Sequence, residues 1–210
     1  KPYLYGNILE VGCGIGTYSE KIIQDFKGNK IILSDLDLNY LEKLKKRVGV
    51  QANVSVLKLD LNSPADFQKI NQKMDSIFAL NVLEHIKDDV ACLNNLSEVL
   101  SKGGNLVILV PAHKGLYNCI DKAVGHYRRY DKKELKSKVA KTSFTIKKLF
   151  YFNCFSILGW YVNGNILKKE IINENAMIFF DKILPVVRLL EKSILRQKVG
   201  ISLIAVLEKP

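Results

Sequence analysis

The chain has 210 residues, 48% of them hydrophobic and 25% charged, with a net charge of +11 at neutral pH. This length suits one globular domain that buries about 70% of the surface its unfolded chain exposes, and no apolar run approaches the ~18 residues of a membrane span. The excess of bases fits a lysine-rich solvated surface, although residues 122–148 hold ten bases against two acids and keep an anionic partner in view. No signal peptide is recognisable, and Lys1 is not a Met, which leaves room for an upstream segment. Four scattered cysteines, Cys13, Cys92, Cys119 and Cys154, form no C-x-x-C pair and predict free thiols in a reducing compartment, hence a cytoplasmic location.

In chain order, the first predicted element is an apolar strand from Ile8 that runs into the turn Glu10-Val-Gly-Cys-Gly-Ile-Gly16, with Thr17 expected to cap a following helix. A dinucleotide turn wants Gly-x-Gly-x-x-Gly; here the spacing is Gly-x-Gly-x-Gly, with Glu10 beside it. An acid at that place repels a pyrophosphate and suits a cationic ligand. A second strand, Lys30 to Ser34, ends at Asp35, and a helix follows with Leu38, Leu41, Leu44 and Val48 on one face. Asn53 to Leu59 is a third strand closed by Asp60, and Ser63-Pro64 opens a short helix. Met74 to Leu80 is a fourth strand ending at Asn81. Asp88 or Asp89 should cap the next helix, Gly103-Gly104 should stop it, and Leu106 to Val110 is a fifth strand. Strands alternating with helices predict right-handed βαβ units and a parallel sheet with its ligand at the strands' carboxyl ends, where Glu10, Asp35, Asp60 and Asn81 fall. Beyond Ala112 the alternation lapses: a helix over Asp131 to Thr142, a strand over Phe144 to Phe152 and a last strand over Val199 to Leu207 enclose an apolar segment, 156–195, expected to cover the sheet edge or form a dimer face, with peripheral membrane contact as the alternative.

The glycine turn, the acid after the second strand, Asn81-Val-Leu-Glu-His85 after the fourth and Lys102-Gly-Gly-Asn-Leu before the fifth together resemble a class I S-adenosylmethionine-dependent methyltransferase. That resemblance implies an α/β fold: a doubly wound, seven-stranded, mostly parallel Rossmann-like sheet whose last strand is antiparallel, here with a helical insertion before it. It makes 1–210 a single domain, with 112–198 as acceptor-side cap and insertion. The cofactor implied is S-adenosylmethionine, held by Glu10, Gly12, Cys13, Gly14, Gly16, Asp35, Leu36, Asp60, Leu61 and Asn81. Within that set Asp35 would take the ribose hydroxyls, with Asp37 as rival, and Asp60 with Leu61 would meet the adenine. The segment Asp121 to Tyr130, containing Gly-His-Tyr-Arg-Arg-Tyr, resembles a bacterial subgroup that accompanies glycan and lipid-carrier glycosyltransferases, which implies a small or glycan-related acceptor.

Methyl transfer to an alcohol or phenol needs a base. His126, five residues after Asp121, is the first candidate and His85 the second; the alternative for His126 is a structural ring hydrogen-bonded to backbone. Acceptor contacts are expected from His113, Tyr117, Tyr127, Arg128, Arg129 and Tyr130, with the two arginines clamping an anion. Some methyltransferases of RNA ends or catechol-like rings carry a Glu-x-x-Glu-His metal motif after the fourth strand; here Asn81 replaces the first Glu and no further ligand pair is evident, so no metal is expected. The alternatives to a small-molecule enzyme are an RNA methyltransferase, possible on charge but not favoured, and a cofactor-binding regulatory subunit without turnover.

Overall fold

The computed structural model describes residues 2–169 and 197–210. Seven strands form one sheet: β1 (Ile8–Val11), β2 (Ile31–Asp35), β3 (Val54–Lys58), β4 (Met74–Leu80), β5 (Leu100–Pro111), β6 (Thr145–Phe152) and β7 (Ser202–Glu208). Their order is β3-β2-β1-β4-β5-β7-β6. The first five pair in parallel, and β7 is antiparallel to both β5 and β6. The expected doubly wound, mostly parallel sheet with an antiparallel last strand is therefore the architecture found.

The two-residue period of the strands divides the core. Ile8, Ile31, Leu33 and Phe78 pack with Ile22 and Ile23 of α1 (Ser19–Asp25) and Leu41 and Leu44 of α2 (Leu38–Val48). Leu9, Val11, Ile77 and Ala79 face the other way, toward Leu93 and Leu96 of α4 (Asp89–Val99) and Leu135 and Val139 of α6 (Lys132–Val139). Burial on both faces is why β1 is apolar at every position but Glu10. Two short helices complete the described elements relevant to the site: α3 (Pro64–Phe67), with proline in its first turn, and α5 (Cys119–Ala123).

Two local expectations are corrected, and one choice between alternatives is settled. Thr17 does not cap α1: the glycine turn runs on to Tyr18, and the helix begins at Ser19, which is buried with its hydroxyl directed to Glu10. Gly103-Gly104 does not stop α4, which has ended at Val99; Leu100 already pairs with Met74, and Gly103, at φ +73°, bends the interior of the long β5. Asp88, not Asp89, caps α4 by accepting from the Ala91 N–H at 3.0 Å. Most of the apolar segment 156–195 lies outside the described residues; its beginning forms α7 (Ser156–Tyr161), which runs on as a π-helical turn, Val162–Ile166. None of the described helices is long and apolar enough to cross a membrane.

Candidate active site

The carboxyl end of β1 leads into the glycine turn, which borders a cavity of about 360 Å³ lined by Glu10, Gly12, Gly14, Tyr18, Tyr40 and Leu80 among others. Gly12 sits at φ +69°, where a Cβ would also overlap Val82 Cγ2. The turn thus packs directly on the loop that follows β4. At Gly14, φ +53°, a Cβ would meet nothing, so the backbone there faces open space.

Glu10 is buried at 2% exposure and accepts a 2.7 Å hydrogen bond from Ser19 Oγ. Desolvation, opposed by that bond and reinforced by nearby Asp35, raises its pKa to about 7. Asp35, at the end of β2, accepts from the Gly14 N–H at 2.8 Å and from the Asp37 N–H at 3.0 Å. Its rival Asp37 is engaged elsewhere, capping α2 through the Asn39 N–H at 2.7 Å. Leu36 is exposed beside Asp35, and Cys13 is buried, with its thiol pKa pushed up by burial. Asp60 accepts from the Asn62 N–H at 2.9 Å, and Leu61 beside it is buried. Asn81 is exposed at φ +54°, its N–H held by the Leu109 carbonyl at 2.9 Å. An uncharged turn with open backbone, bordered by a buried carboxyl without a cationic partner, fits a ligand carrying an ammonium and a sulfonium.

After Asn81, a 3₁₀ turn (Leu83–His85) carries Glu84 inward. Glu84 is 0% exposed and, among the described residues, neither of its oxygens has a hydrogen-bond partner. Burial raises its pKa to about 8, with Asp121 adding to the effect and Arg129 opposing it. His85, on the open side, has its pKa lowered by burial and by His126; the two rings meet edge to face at 4.8 Å. His126 Nδ1 lies 2.8 Å from Asp121 Oδ1, and its Nε2 is 3.7 Å from Glu84 Oε1, too far for a hydrogen bond. His126 and His85, chosen from the sequence as candidate bases, therefore lie side by side.

Asp121 has two further tasks. It closes a capping box at the start of α5, where Asn118 accepts from the Ile120 N–H and Asp121 accepts from the Asn118 N–H at 3.0 Å. It also takes Arg129 Nε at 2.9 Å on both oxygens. Burial alone would raise its pKa; the bonds from His126 and Arg129 outweigh that and hold it below the usual range.

The expected anion clamp is corrected here. Arg129 is 2% exposed, with its guanidinium spent on Asp121 and the Ala112 carbonyl and stacked 4.3 Å from the Trp160 ring. Arg128 pairs with Asp89 at 2.8 Å and with the Lys87 carbonyl. Tyr130, expected among the acceptor contacts, is wholly buried and donates to Asp89 at 2.8 Å. Tyr117 donates to the His126 carbonyl at 2.7 Å, and His113 stacks on Tyr151 at 4.9 Å. Tyr127 alone of the six is exposed. The sequence reading missed Ser19 and considered Asp89 only as a helix cap; the Asn118-x-x-Asp121 capping box was the one signal in the sequence that marked Asp121 as structural.

Residues 9–106 match the family model described as a methyltransferase domain. The chain is 33% identical over 100 residues to malonyl-[acyl-carrier protein] O-methyltransferase 1 of Ilyobacter polytropus, covering 48% of this chain and 36% of that protein. It is 28% identical over 108 residues to the tRNA U34 carboxymethyltransferase of Alteromonas mediterranea, covering 49% and 31% respectively. The matches thus span about a third of the length of these curated relatives. Among solved structures, the N-methyltransferase NodS of Bradyrhizobium japonicum in complex with S-adenosyl-L-homocysteine superposes with a TM-score of 0.60 at 16% identity, over 98% of this chain and 78% of that one; this likeness concerns the fold. Residues 9–106 thus match a methyltransferase domain, and the seven-stranded sheet has the fold of solved methyltransferases.

Proposed function

We propose that the whole chain, as one catalytic unit with 112–198 on the acceptor side, transfers a methyl group from S-adenosylmethionine to an oxygen or nitrogen of a small acceptor. The observation that carries this reading is the contact between the glycine turn and the loop after β4: Gly12 abuts Val82, two residues before Glu84. Donor turn and polar cluster are thereby adjacent. The cofactor supplies a methyl group already activated on a sulfonium, so the chain mainly has to hold donor and acceptor in line.

Asp35 takes the ribose hydroxyls, since Asp37 is committed to its helix cap. Glu10 faces the methionine end, Gly12, Cys13, Gly14 and Gly16 line the cofactor, Leu36, Asp60 and Leu61 receive the adenosine, and Asn81 closes the sulfonium side. On the acceptor side, His126 presents Nε2 beside Glu84 and His85, and Asp121 is a positioning residue that fixes the ring. Tyr127 and His113 contribute to the acceptor wall. A glycan-related acceptor rests on the resemblance of residues 121–130 to the glycosyltransferase-associated subgroup; an anionic one loses its support because Arg128 and Arg129 are paired within the chain. The unbridged thiols of Cys13, Cys92 and Cys119 support a cytoplasmic location. The segment 156–195 serves as a dimer face or membrane contact in this reading.

A second reading, RNA methylation, draws on the +11 charge and on the tRNA-modifying relative; salt-dependent RNA binding at low ionic strength supports it, and its absence there removes it. Calorimetry with S-adenosylmethionine tests the main reading: one site per chain is expected, and no binding overturns it. Labelled cofactor incubated with fractionated bacterial extract then identifies the acceptor, a small-molecule product being expected and labelled RNA favouring the second reading.

A further inference from the structure

Burying a carboxyl group with neither oxygen hydrogen-bonded is unfavourable, and native structures rarely leave one so. Glu84 is in that state, at 0% exposure, and its neighbours have the geometry to explain it. His85 Nδ1 lies 3.2 Å from the Gly125 carbonyl, which can only accept, so that nitrogen carries the proton and Nε2 keeps a lone pair. His126 Nδ1 faces Asp121, a carboxylate paired with Arg129, so it too donates, and Nε2 is the nitrogen that a neutral ring offers to a ligand. Imidazoles whose second nitrogen donates to a carbonyl or a carboxylate are the ordinary outer arrangement of metal-binding histidines. Here two rings have it independently.

One ligand atom each from Glu84, His85 and His126 lies within 4.8 Å of the other two. Donors bound tetrahedrally to one ion at about 2.1 Å stand about 3.4 Å apart, so shifts of up to about 0.7 Å at each side-chain end close the site. Two imidazoles and one carboxylate favour zinc or a similar first-row ion over magnesium or calcium, which take oxygen. Three ligands, with His85 on the exposed side, leave coordination positions open.

We propose that Glu84, His85 and His126 bind one divalent transition-metal ion whose open positions face the acceptor. The sequence reading expected no metal because Asn81 stands where a metal motif has its first Glu; the fold supplies instead a ligand 42 residues beyond Glu84. The site itself stands on geometry alone. Its role, polarising an acceptor oxygen as a Lewis acid so that its proton is lost more readily, rests on the methyl-transfer reading above.

The test uses the full chain, stripped with a chelator and dialysed, then titrated calorimetrically with Zn²⁺ and followed by absorption with Co²⁺. One ion per chain and visible Co²⁺ bands are expected, with Mg²⁺ giving no comparable binding. Glu84→Gln, nearly isosteric, should weaken Zn²⁺ affinity at least tenfold, as should His126→Ala, while Cys119→Ser, which removes a half-exposed thiol, should leave it unchanged. Absence of stoichiometric binding, or unchanged affinity in a folded Glu84→Gln protein, overturns the proposal; if His126→Ala fails to fold, Glu84→Gln decides. S-adenosylmethionine binding is measured on the same stripped and reloaded samples. Retained cofactor binding without metal binding sinks the metal site alone, whereas loss of cofactor binding in both samples sinks the methyltransferase reading.

Discussion

On the donor side, Glu10 and Asp35 are hydrogen-bonded by uncharged groups, the Ser19 hydroxyl and the backbone N–H groups of Gly14 and Asp37. On the acceptor side, Asp89 and Asp121 are bound by cations, Arg128 and Lys138 for the first and Arg129 for the second. The same residue type therefore has opposite meanings in the two regions. Carboxylates without an internal cation leave negative charge for a positively charged ligand, and carboxylates with one are part of the frame. Arginine follows the complementary rule: Arg128 and Arg129 advertise an anion site in the sequence, but their charge is already consumed.

The sharpest break of this comparison is at Arg129. Arg129→Ala leaves Asp121 buried without its cation, and should destabilise the fold by about 3–5 kcal/mol in urea unfolding; a loss below about 1 kcal/mol would mean that the pair is not part of the frame. Next is Asp35→Ala, expected to weaken S-adenosylmethionine binding by about 1.5–3 kcal/mol in calorimetry, whereas Asp37→Ala should cost about 1 kcal/mol of stability as a lost cap and spare the affinity. The reverse outcome would exchange the roles of the two residues.

The smallest effect is on pH dependence. Glu10, raised to about 7, is mostly neutral in the empty site below that pH. A cationic ligand favours its ionised form, so cofactor affinity should rise between about pH 6 and 8, by at most about tenfold per unit, with a proton released on binding; Glu10→Gln should flatten the profile. For stability the signs are opposed. Ionising Glu10 in its buried place costs stability as pH climbs from 4.5, the group's ordinary value, toward 7. At Asp89, burial would raise the pKa but Lys138, Tyr130 and Arg128 hold it down, so its contribution is complete above the ordinary carboxylate range and is lost as pH falls through the lowered pKa. An acid-stable fold combined with a flat binding profile would contradict both halves of the comparison.

What the sequence made legible is what neighbouring residues encode. The strand and glycine turn over residues 8–16, the polar residue ending each of the first four strands and the helical periodicities are all local signals, and the parallel sheet, though not its strand order, was read from their alternation. Contacts between distant residues were not legible. Nothing near Arg128 announces Asp89, 39 residues earlier, and nothing near Glu84 announces His126. Those pairings exist because the segment 126–130 runs back along the end of β5, where Tyr130 bridges to Ala112, and that return path has no periodicity of its own. The misplaced helix ends have a simpler cause: Gly103 and Thr17 carry the right residue signals for a stop and a cap, but the neighbouring pairing of Leu100 and the burial of Ser19 override them.

The position of β7 between β5 and β6 has a consequence for how the chain folds. β6 is made some fifty residues before β7, yet among the described strands it pairs only with β7. The strands from β1 to β5 can assemble in the order of synthesis, β4 reaching back past β2 and β3 to pair with β1, whereas β6 waits for residues 202–208 to arrive and dock between it and β5. Late, long-range strand pairing of this kind is slow. The donor half should therefore gain hydrogen-exchange protection first during refolding, with the β5-β7-β6 edge closing last.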